Sequence, residues 1–119
     1  MSNPIITKKY HFCASHKYGN DHWSEEKNFE VFGKDYNTHG HNYVLEVSIT
    51  GPIDPDTGWL VDLQALKKTI HSKVINILDH SQIEKDIDWF KNKQPSSENI
   101  LIWIWDQIIP DMGKGQLHR

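Results

Sequence analysis

Apolar and polar residues alternate in two segments of the chain, which is the pattern of half-buried β-strands. The first predicted strand is Ile5–His16, and its even positions are largely apolar: Ile6, Tyr10, Phe12 and Ala14. The second predicted strand is His39–Thr50, and its odd positions are apolar: Tyr43, Leu45, Val47 and Ile49. Because side chains two residues apart share a face of a strand, His16 continues the apolar face of the first strand.

Further along the chain, apolar residues recur at spacings of three and four, which predicts two amphipathic helices. The first helix follows a candidate N-cap, Asp62, and carries Leu63, Leu66, Ile70, Val74 and Ile77. It is expected to stop near Leu78-Asp79-His80. The second is capped by Ser96 or Ser97, ends at Pro110, and carries Ile100, Leu101, Ile104, Trp105 and Ile108. The order strand, strand, helix, helix predicts an α+β fold.

The segments between these elements are polar and are predicted to be loops. The 17–38 segment is a long loop with a helical turn around Ser24–Lys27, and another loop runs from His80 to Pro95. Two strands alone cannot cover two amphipathic helices. The tail, 113–119, stops as if entering another strand, so the chain either borrows sheet from a partner or is a truncated fragment.

Composition narrows the function classes. The 119 residues suit a single domain, and a net charge of -3 without a lysine or arginine run argues against nucleic acid as a partner. No apolar run is long enough to span a membrane, and we see no secretory signal. The single cysteine, Cys13, fits a reducing compartment, so a cytoplasmic protein is expected.

Three histidines suggest a metal site. His39 and His41 share a face of the second strand, and His16 ends the first strand on its apolar face. Three neutral imidazoles suit Zn²⁺, with the fourth position open for water or a substrate oxygen. The alternative is a pair of surface histidines at a strand end.

Two further segments have a chemical and a structural interpretation. Asp79 beside His80 can form part of a proton relay, or can be a turn with a histidine at a helix C-terminus. Ser96, Ser97 and Glu98 are a helix N-terminal signature first, with a substrate role as the alternative.

Ordered motifs along the chain resemble those of the 6-pyruvoyl-tetrahydropterin synthase family, which includes the bacterial 6-carboxy-tetrahydropterin synthases. The similarity covers nearly the whole chain. The motifs, in order, are Phe12-Cys13-Ala14-Ser15-His16, Glu26-Lys27-Asn28, Phe32-Gly33-Lys34, His39-Gly40-His41-Asn42-Tyr43, Gly51-Pro52-Ile53-Asp54-Pro55, Thr57-Gly58, Leu78-Asp79-His80 and Ser97-Glu98-Asn99.

This resemblance implies the tunnelling fold, an antiparallel sheet with two helices packed on one face, assembled as a barrel-forming homo-oligomer, typically a hexamer. It implies that three histidines bind zinc, that an Asp-His pair is catalytic, and that a third segment lies near the pterin. The matching residues are His16, His39 and His41 for zinc, Asp79 and His80 for catalysis, and Ser96, Ser97 and Glu98 for the pterin.

The resemblance also implies a reaction. The family acts on dihydroneopterin triphosphate, where zinc polarises the side-chain hydroxyls, protons move and triphosphate is eliminated, so the enzyme is a carbon–oxygen lyase. The carboxy-forming branch also loses acetaldehyde. The pathway stays open between folate, biopterin and queuosine metabolism.

The chain departs from the family pattern at two places. Asp35 stands four residues before His39, where the family usually has a cysteine as general base. The family also has a pterin-gripping glutamate on its last strand, and no residue of 116–119 matches it. Either the sequence is truncated and the domain lacks its C-terminal strand hairpin, or the protein has lost its pterin anchor.

Two alternatives to a pterin synthase remain. The chain can be a zinc- and pterin-binding homologue with no activity or altered chemistry, because Asp35 replaces the cysteine. A more remote alternative is a cupin-like metal oxidase, since Gly33, His39, His41 and Glu46 partly match a cupin motif. Glu46 falls on the opposite strand face from the histidines, and a cupin needs many strands instead of two helices.

Overall fold

Two long strands form the centre of the molecule in the computed structural model, which describes residues 3–112 and 116–118. β1 (Ile5–His16) and β2 (His39–Thr50) have 12 residues each and pair antiparallel along their whole length. A short third strand, β3 (Gln116–Leu117), pairs with the far end of β2. The strand bounds agree with the alternation in the sequence. Residues 113–115 of the predicted tail lie outside the described residues.

The segment between β1 and β2 is more helical than predicted. Instead of a loop with one turn, it contains α1 (Glu25–Phe32) and a 3₁₀ helix over Gly33–Tyr36. The Ser24 hydroxyl accepts a hydrogen bond from the Lys27 N–H at 3.1 Å, and two glutamates lie in the first turn. The Ser24 cap and the two glutamates at the positive end of the helix dipole stabilise α1. Its apolar periodicity is too weak to predict a helix from the sequence.

A longer helical segment follows β2 and agrees with the prediction. It consists of α2 (Leu63–Ile70), a π-helical stretch over His71–Ile75 and α3 (Asn76–Leu78). The Asp62 carboxylate caps it by accepting hydrogen bonds from the backbone N–H groups of Gln64 and Ala65. The predicted cap residue and the predicted end of the helix are both confirmed.

The second predicted loop also contains helical turns. α4 (Ile83–Asp86) and a 3₁₀ helix over Asp88–Phe90 lie between His80 and Pro95. These turns bury Ile83, Ile87 and Phe90, at spacings of four and three. Such a run is too short to reveal a helix through its periodicity.

The last helix, α5 (Ser97–Ile108), begins after Ser96, whose hydroxyl accepts a hydrogen bond from the Asn99 N–H at 3.2 Å. Ser96 is therefore the cap, not Ser97. A 3₁₀ turn over Ile109–Asp111 ends the helical segment at the predicted proline.

One cluster of buried side chains joins the strands and helices. Its strand members come from the even positions of β1 and the odd positions of β2, as predicted. Leu63, Ile77, Leu101 and Trp105 were also expected on buried helix faces, but they are exposed. The sheet is too narrow to cover the whole apolar face of each helix, so these four side chains remain exposed. None of the helices in the described ranges is long and apolar enough to cross a membrane.

Candidate functional site

The pairing of β1 with β2 brings three histidines together at one end of the sheet. His16 lies directly opposite His39, and His41 lies opposite Ala14, so all three rings share the inner face. The ring centroids are 4.5 Å apart for His16 and His39, 5.0 Å for His16 and His41, and 4.9 Å for His39 and His41. Their ligand nitrogens lie within 4.8 Å of one another, so the group can hold a metal ion.

Backbone carbonyls orient two of these rings. His16 Nδ1 lies 2.8 Å from the Pro95 carbonyl, and His39 Nδ1 lies 2.8 Å from the Asn37 carbonyl. A carbonyl can only accept, so each Nδ1 carries a proton, and in the neutral ring the Nε2 atom then has a free lone pair. This is the tautomer that metal-binding histidines adopt when an outer partner fixes the ring.

The second nitrogen of His39 supports the same interpretation. His39 Nε2 is buried and has no hydrogen-bond partner in the described part of the chain. A buried polar atom without a partner is costly, and a metal ion would satisfy it. Three imidazole nitrogens with one open position are a donor set that suits Zn²⁺.

The charge state of His16 is also appropriate. Burial lowers the pKa of His16 below its ordinary value, and the neighbouring His39 and His41 lower it further. The hydrogen bond to Pro95 and the charge of Glu84 act in the opposite direction and are outweighed. A neutral imidazole is the form that binds metal.

Asp35 lies beside the histidine cluster. Its Oδ1 is 3.7 Å from His39 Nε2, and its side chain is 63% exposed. The carbonyl of Asp35 accepts a hydrogen bond from the Tyr18 N–H at 2.9 Å, which ties the 3₁₀ turn to the end of β1. The Tyr18 ring packs against His16 with a centroid distance of 5.4 Å. The structure therefore brings Asp35 to the cluster.

Asp79 and His80 lie elsewhere. Asp79 accepts a hydrogen bond from the Cys13 N–H at 2.8 Å, along the free edge of β1. His80 Nδ1 lies 3.0 Å from Asp79 Oδ2, so the two side chains contact each other. His80 and Cys13 line an open depression of about 350 Å³, together with Asn42 and His41. The Cys13 and Asn42 side chains alternate with the inward residues, so they lie on the sheet face opposite the histidine rings.

The backbone conformation of His80 and the contacts of the Asp79 carboxylate both shape this pair. His80 has a φ of 62°, a left-handed conformation that is uncommon for a residue with a side chain. The hydrogen bond from the Cys13 N–H lowers the pKa of Asp79 and outweighs the rise caused by burial, and the contact with His80 lowers the pKa further. Asp79 is thus held ionised next to an imidazole.

The predicted pterin segment adjoins the cluster at the start of α5. Ser96 is the helix cap, while Ser97 and Glu98 are exposed. Pro95, immediately before them, receives the hydrogen bond from His16. Hence the segment is fixed next to the cluster through the backbone.

Other residues around the cluster were not predicted. In residues 3–112 and 116–118, three buried side-chain atoms lack a hydrogen-bond partner: His39 Nε2, Tyr43 Oη and Glu84 Oε2. The Tyr43 ring packs against His41 with a centroid distance of 5.6 Å, and Glu84 acts electrostatically on His16. Tyr43 continues the inward face after His41 and could have been inferred from alternation. Nothing in the sequence marks Glu84.

Comparisons with known proteins agree with this geometry. The chain matches the family model described as 6-pyruvoyl tetrahydropterin synthase over residues 5–119. It is 41% identical to the 6-pyruvoyl tetrahydrobiopterin synthase of Dictyostelium discoideum, over 91% of this chain and 80% of that protein. It is 34% identical to the Homo sapiens 6-pyruvoyl tetrahydrobiopterin synthase, over 96% of this chain and 80% of that protein.

A solved structure gives the same result. The structure of Caenorhabditis elegans 6-pyruvoyl tetrahydropterin synthase superposes with a TM-score of 0.86 at 35% identity, covering 95% of this chain and 81% of that one. The chain therefore belongs to the 6-pyruvoyl tetrahydropterin synthase family, and its fold is the α+β tunnelling fold. This agrees with the resemblance seen in the sequence. The family and the fold exclude the cupin alternative. Glu46 lies outside the histidine cluster, in an exposed ion pair with Lys9.

Proposed function

We propose that this protein is a zinc-dependent pterin synthase that eliminates triphosphate from dihydroneopterin triphosphate. The observation that carries the proposal is the unpartnered, buried Nε2 of His39 within a three-histidine cluster, beside Asp35, in a chain of this family. The reaction is a carbon–oxygen lyase reaction in tetrahydropterin biosynthesis.

His16, His39 and His41 would hold the zinc ion through their imidazole nitrogens. When bound, zinc supplies Lewis-acid polarisation of substrate hydroxyls without redox chemistry. The Pro95 and Asn37 carbonyls fix the tautomers of two ligands before any metal arrives. This preorganisation reduces the rearrangement that binding requires.

Asp35 is the proposed general base. Its carboxylate lies 3.7 Å from His39 Nε2, is mostly exposed, and can accept a proton from a substrate carbon or hydroxyl. The 3₁₀ turn and the Tyr18 hydrogen bond hold its backbone in place. Where most of the family has a thiol, this chain would use a carboxylate.

Asp79 and His80 would take part from a neighbouring subunit. Asp79 lies at the free edge of β1, and His80 borders the depression lined by the outward-facing Cys13 and Asn42, so the pair is turned away from the histidine rings of its own chain. We infer a homo-oligomer in which the Asp79–His80 pair of one copy completes the site of another. His80, in contact with an ionised aspartate, can relay a proton.

Ser96, Ser97 and Glu98 would contact the pterin. They stand at the N-terminus of α5, next to the carbonyl that orients His16. A pterin here would lie between the helix end and the metal.

The product is expected to be of the pyruvoyl type. Relatives named 6-pyruvoyl tetrahydrobiopterin synthase match at 34–41% identity. A protein named 6-carboxy-5,6,7,8-tetrahydropterin synthase, from Rickettsia bellii (strain RML369-C), matches at 28% over 66% of this chain and 67% of its own length. Product identification by mass spectrometry separates the two outcomes.

The test is turnover of dihydroneopterin triphosphate by the zinc-loaded protein, followed by triphosphate release. Asp35→Asn should lower kcat by roughly 10²–10⁴-fold, the usual contribution of a general base, and leave zinc content unchanged. Asp35→Cys should retain or raise the activity, since it restores a thiol at the same place.

Two results would contradict the proposal. Stoichiometric zinc without triphosphate release or side-chain cleavage would indicate a non-catalytic zinc- and pterin-binding protein. An Asp35→Asn variant with wild-type kcat would remove Asp35 from the role of base while leaving the reaction in place.

A further inference from the structure

Glu84 connects helix α4 to the end of β1, where the first zinc ligand stands. Its Oε1 accepts a hydrogen bond from the Lys17 N–H at 2.7 Å and another from Gln82 Nε2 at 3.2 Å. Lys17 directly follows His16, and Gln82 forms a parallel bridge with Ser15. The carboxylate is therefore fixed relative to the backbone of His16 by main-chain contacts.

The second oxygen of the same carboxylate has no partner. Glu84 Oε2 is buried, and no hydrogen bond to it occurs in the described part of the chain. No ion pair of the described residues includes Glu84, and the Lys17 ammonium lies over the Tyr36 ring instead. A carboxylate oxygen that is buried without a hydrogen-bond partner is costly, so the position of Glu84 requires an explanation.

The surroundings supply one. Three neutral imidazoles bring no charge to a bound dication, whereas the Glu84 carboxylate is bonded to the backbone of the residue that directly follows His16. Asp35, the other carboxylate at the cluster, is mostly exposed and so is screened by solvent. A half-buried carboxylate stabilises a nearby positive charge more than an exposed one does.

We propose that Glu84 is a positioning residue that supplies the counter-charge of the metal-loaded histidine cluster. The inference rests on the metal site of the proposed function and adds to it a residue outside the ligand set. Glu84 does not contact the substrate. Its hydrogen bond to Lys17 keeps its charge beside His16, and the charge favours zinc on the three rings.

The test is the zinc affinity of the full chain, measured by competition with a chromophoric chelator at neutral pH. Glu84→Gln keeps the shape and a carbonyl that can accept from Lys17, but removes the charge. We expect it to weaken zinc binding by about 10–100-fold, the range for partners outside the ligand shell. The melting temperature of the metal-free variant serves to show that it folds.

Glu46→Gln is the matched control. Glu46 is an exposed glutamate of β2 that pairs with Lys9 at 3.7 Å, away from the cluster. The Glu46→Gln substitution removes the same charge from the chain. It should leave zinc affinity within about twofold of wild type, since exposed ion pairs contribute little. If Glu84→Gln does not fold, Glu84→Asp and Glu84→Asn compare a charged with an uncharged side chain that is one carbon shorter. The Glu84→Asp variant should then bind zinc more tightly than Glu84→Asn.

Wild-type affinity in Glu84→Gln, or equal weakening in Glu84→Gln and Glu46→Gln, overturns the proposal. Neither result touches the proposed function, because wild-type zinc binding and turnover are measured separately. A wild-type chain that binds no zinc removes the metal site itself and Glu84's role with it.

Discussion

His39 has the ring geometry expected of a metal ligand. Its Nδ1 donates to a backbone carbonyl two residues earlier, and its Nε2 is buried without a partner. The sequence suggested the metal role because His39 and His41 share a strand face and His16 ends the neighbouring strand. The tautomer of His16 could not be predicted, because the Pro95 carbonyl that orients its ring comes from a segment 79 residues away.

The first prediction concerns zinc binding by His39. His39→Ala should lower zinc affinity by more than the roughly 10–100-fold expected for a partner outside the ligand shell, because it removes a ligand. Chelator competition measures the change. His11→Ala, at an exposed position of β1, is the control and should bind as wild type does. Equal affinity of wild type and His39→Ala would exclude His39 as a ligand.

The second prediction concerns stability. A metal that binds only the folded protein stabilises it, by about 2.7 kcal/mol at a free concentration of one hundred times the Kd. Removing zinc with a chelator should therefore lower the melting temperature, and adding zinc back should restore it. The same treatment of His39→Ala should have little effect. A chelator-independent melting temperature in wild type would contradict the metal site.

The segment that follows α3 forms hydrogen bonds with the outer edge of strand β1. The Cys13 N–H donates to the Asp79 carboxylate, and the Ser15 N–H donates to the Ser81 carbonyl at 2.8 Å. The segment therefore satisfies the free edge of β1 and directs His80 toward the outer face. An unpaired edge would be open to other strands.

This arrangement gives a pH prediction. The pKa of Asp79 is lowered below its ordinary value of 3.8, chiefly by the hydrogen bond from Cys13. Below about 3.8 the unfolded chain binds a proton before the folded one does, so stability rises with pH in this window. The contribution is complete above 3.8 and is lost as pH falls through the lower, folded pKa.

The comparison of wild type with Asp79→Asn isolates this contribution. Denaturant unfolding should show wild type to be the more stable above the window, and the difference should shrink as the pH falls through it. A difference that stays constant with pH would mean that the charge of Asp79 does not stabilise the fold.

Both strands and the two main helices could be predicted because each carries a long, regular apolar pattern and a recognisable cap. Helix α1 and the turns between His80 and Pro95 could not, because they are short and are held by tertiary contacts and local caps. Asn28 illustrates this: it is buried in α1, where its amide nitrogen donates to the Asn20 and Ser24 carbonyls. A polar residue in that position gives a loop-like pattern.

The candidate site was predictable only where strand pairing sets it. The shared face of the three histidines follows from strand alternation. The position of Asp79 depends instead on its hydrogen bond from the Cys13 N–H at the edge of β1, which alternation does not predict. Glu84 acts through a carboxylate contact to the backbone of Lys17 across 67 residues.

At the scale of the whole molecule, the chain is elongated. Its extents are 61 × 26 × 21 Å and its radius of gyration is 17.5 Å, against about 13.5 Å for a compact chain of this length. In the described residues, β3 pairs with β2 only at Ile49 and Thr50. Large apolar side chains are exposed on the strands and on α5, among them Ile5, Val44, Leu101 and Ile102. Such a surface suits a subunit of an assembly.

The corresponding prediction is an oligomer in solution. Sedimentation equilibrium should give a mass that is a multiple of the 13.9 kDa chain, with six copies as the family expectation. Activity should fall on dilution to concentrations at which the assembly dissociates, because Asp79 and His80 would serve a neighbouring copy. A monomer with full activity would contradict this arrangement.

Zinc content and triphosphate release from dihydroneopterin triphosphate, measured on one sample of the intact protein, test the proposed function in a single assay. We predict one zinc ion per chain and steady release of triphosphate, both lost on chelation and restored by zinc. A metal-free protein that releases triphosphate equally well, or a zinc-loaded protein that releases none, would contradict it.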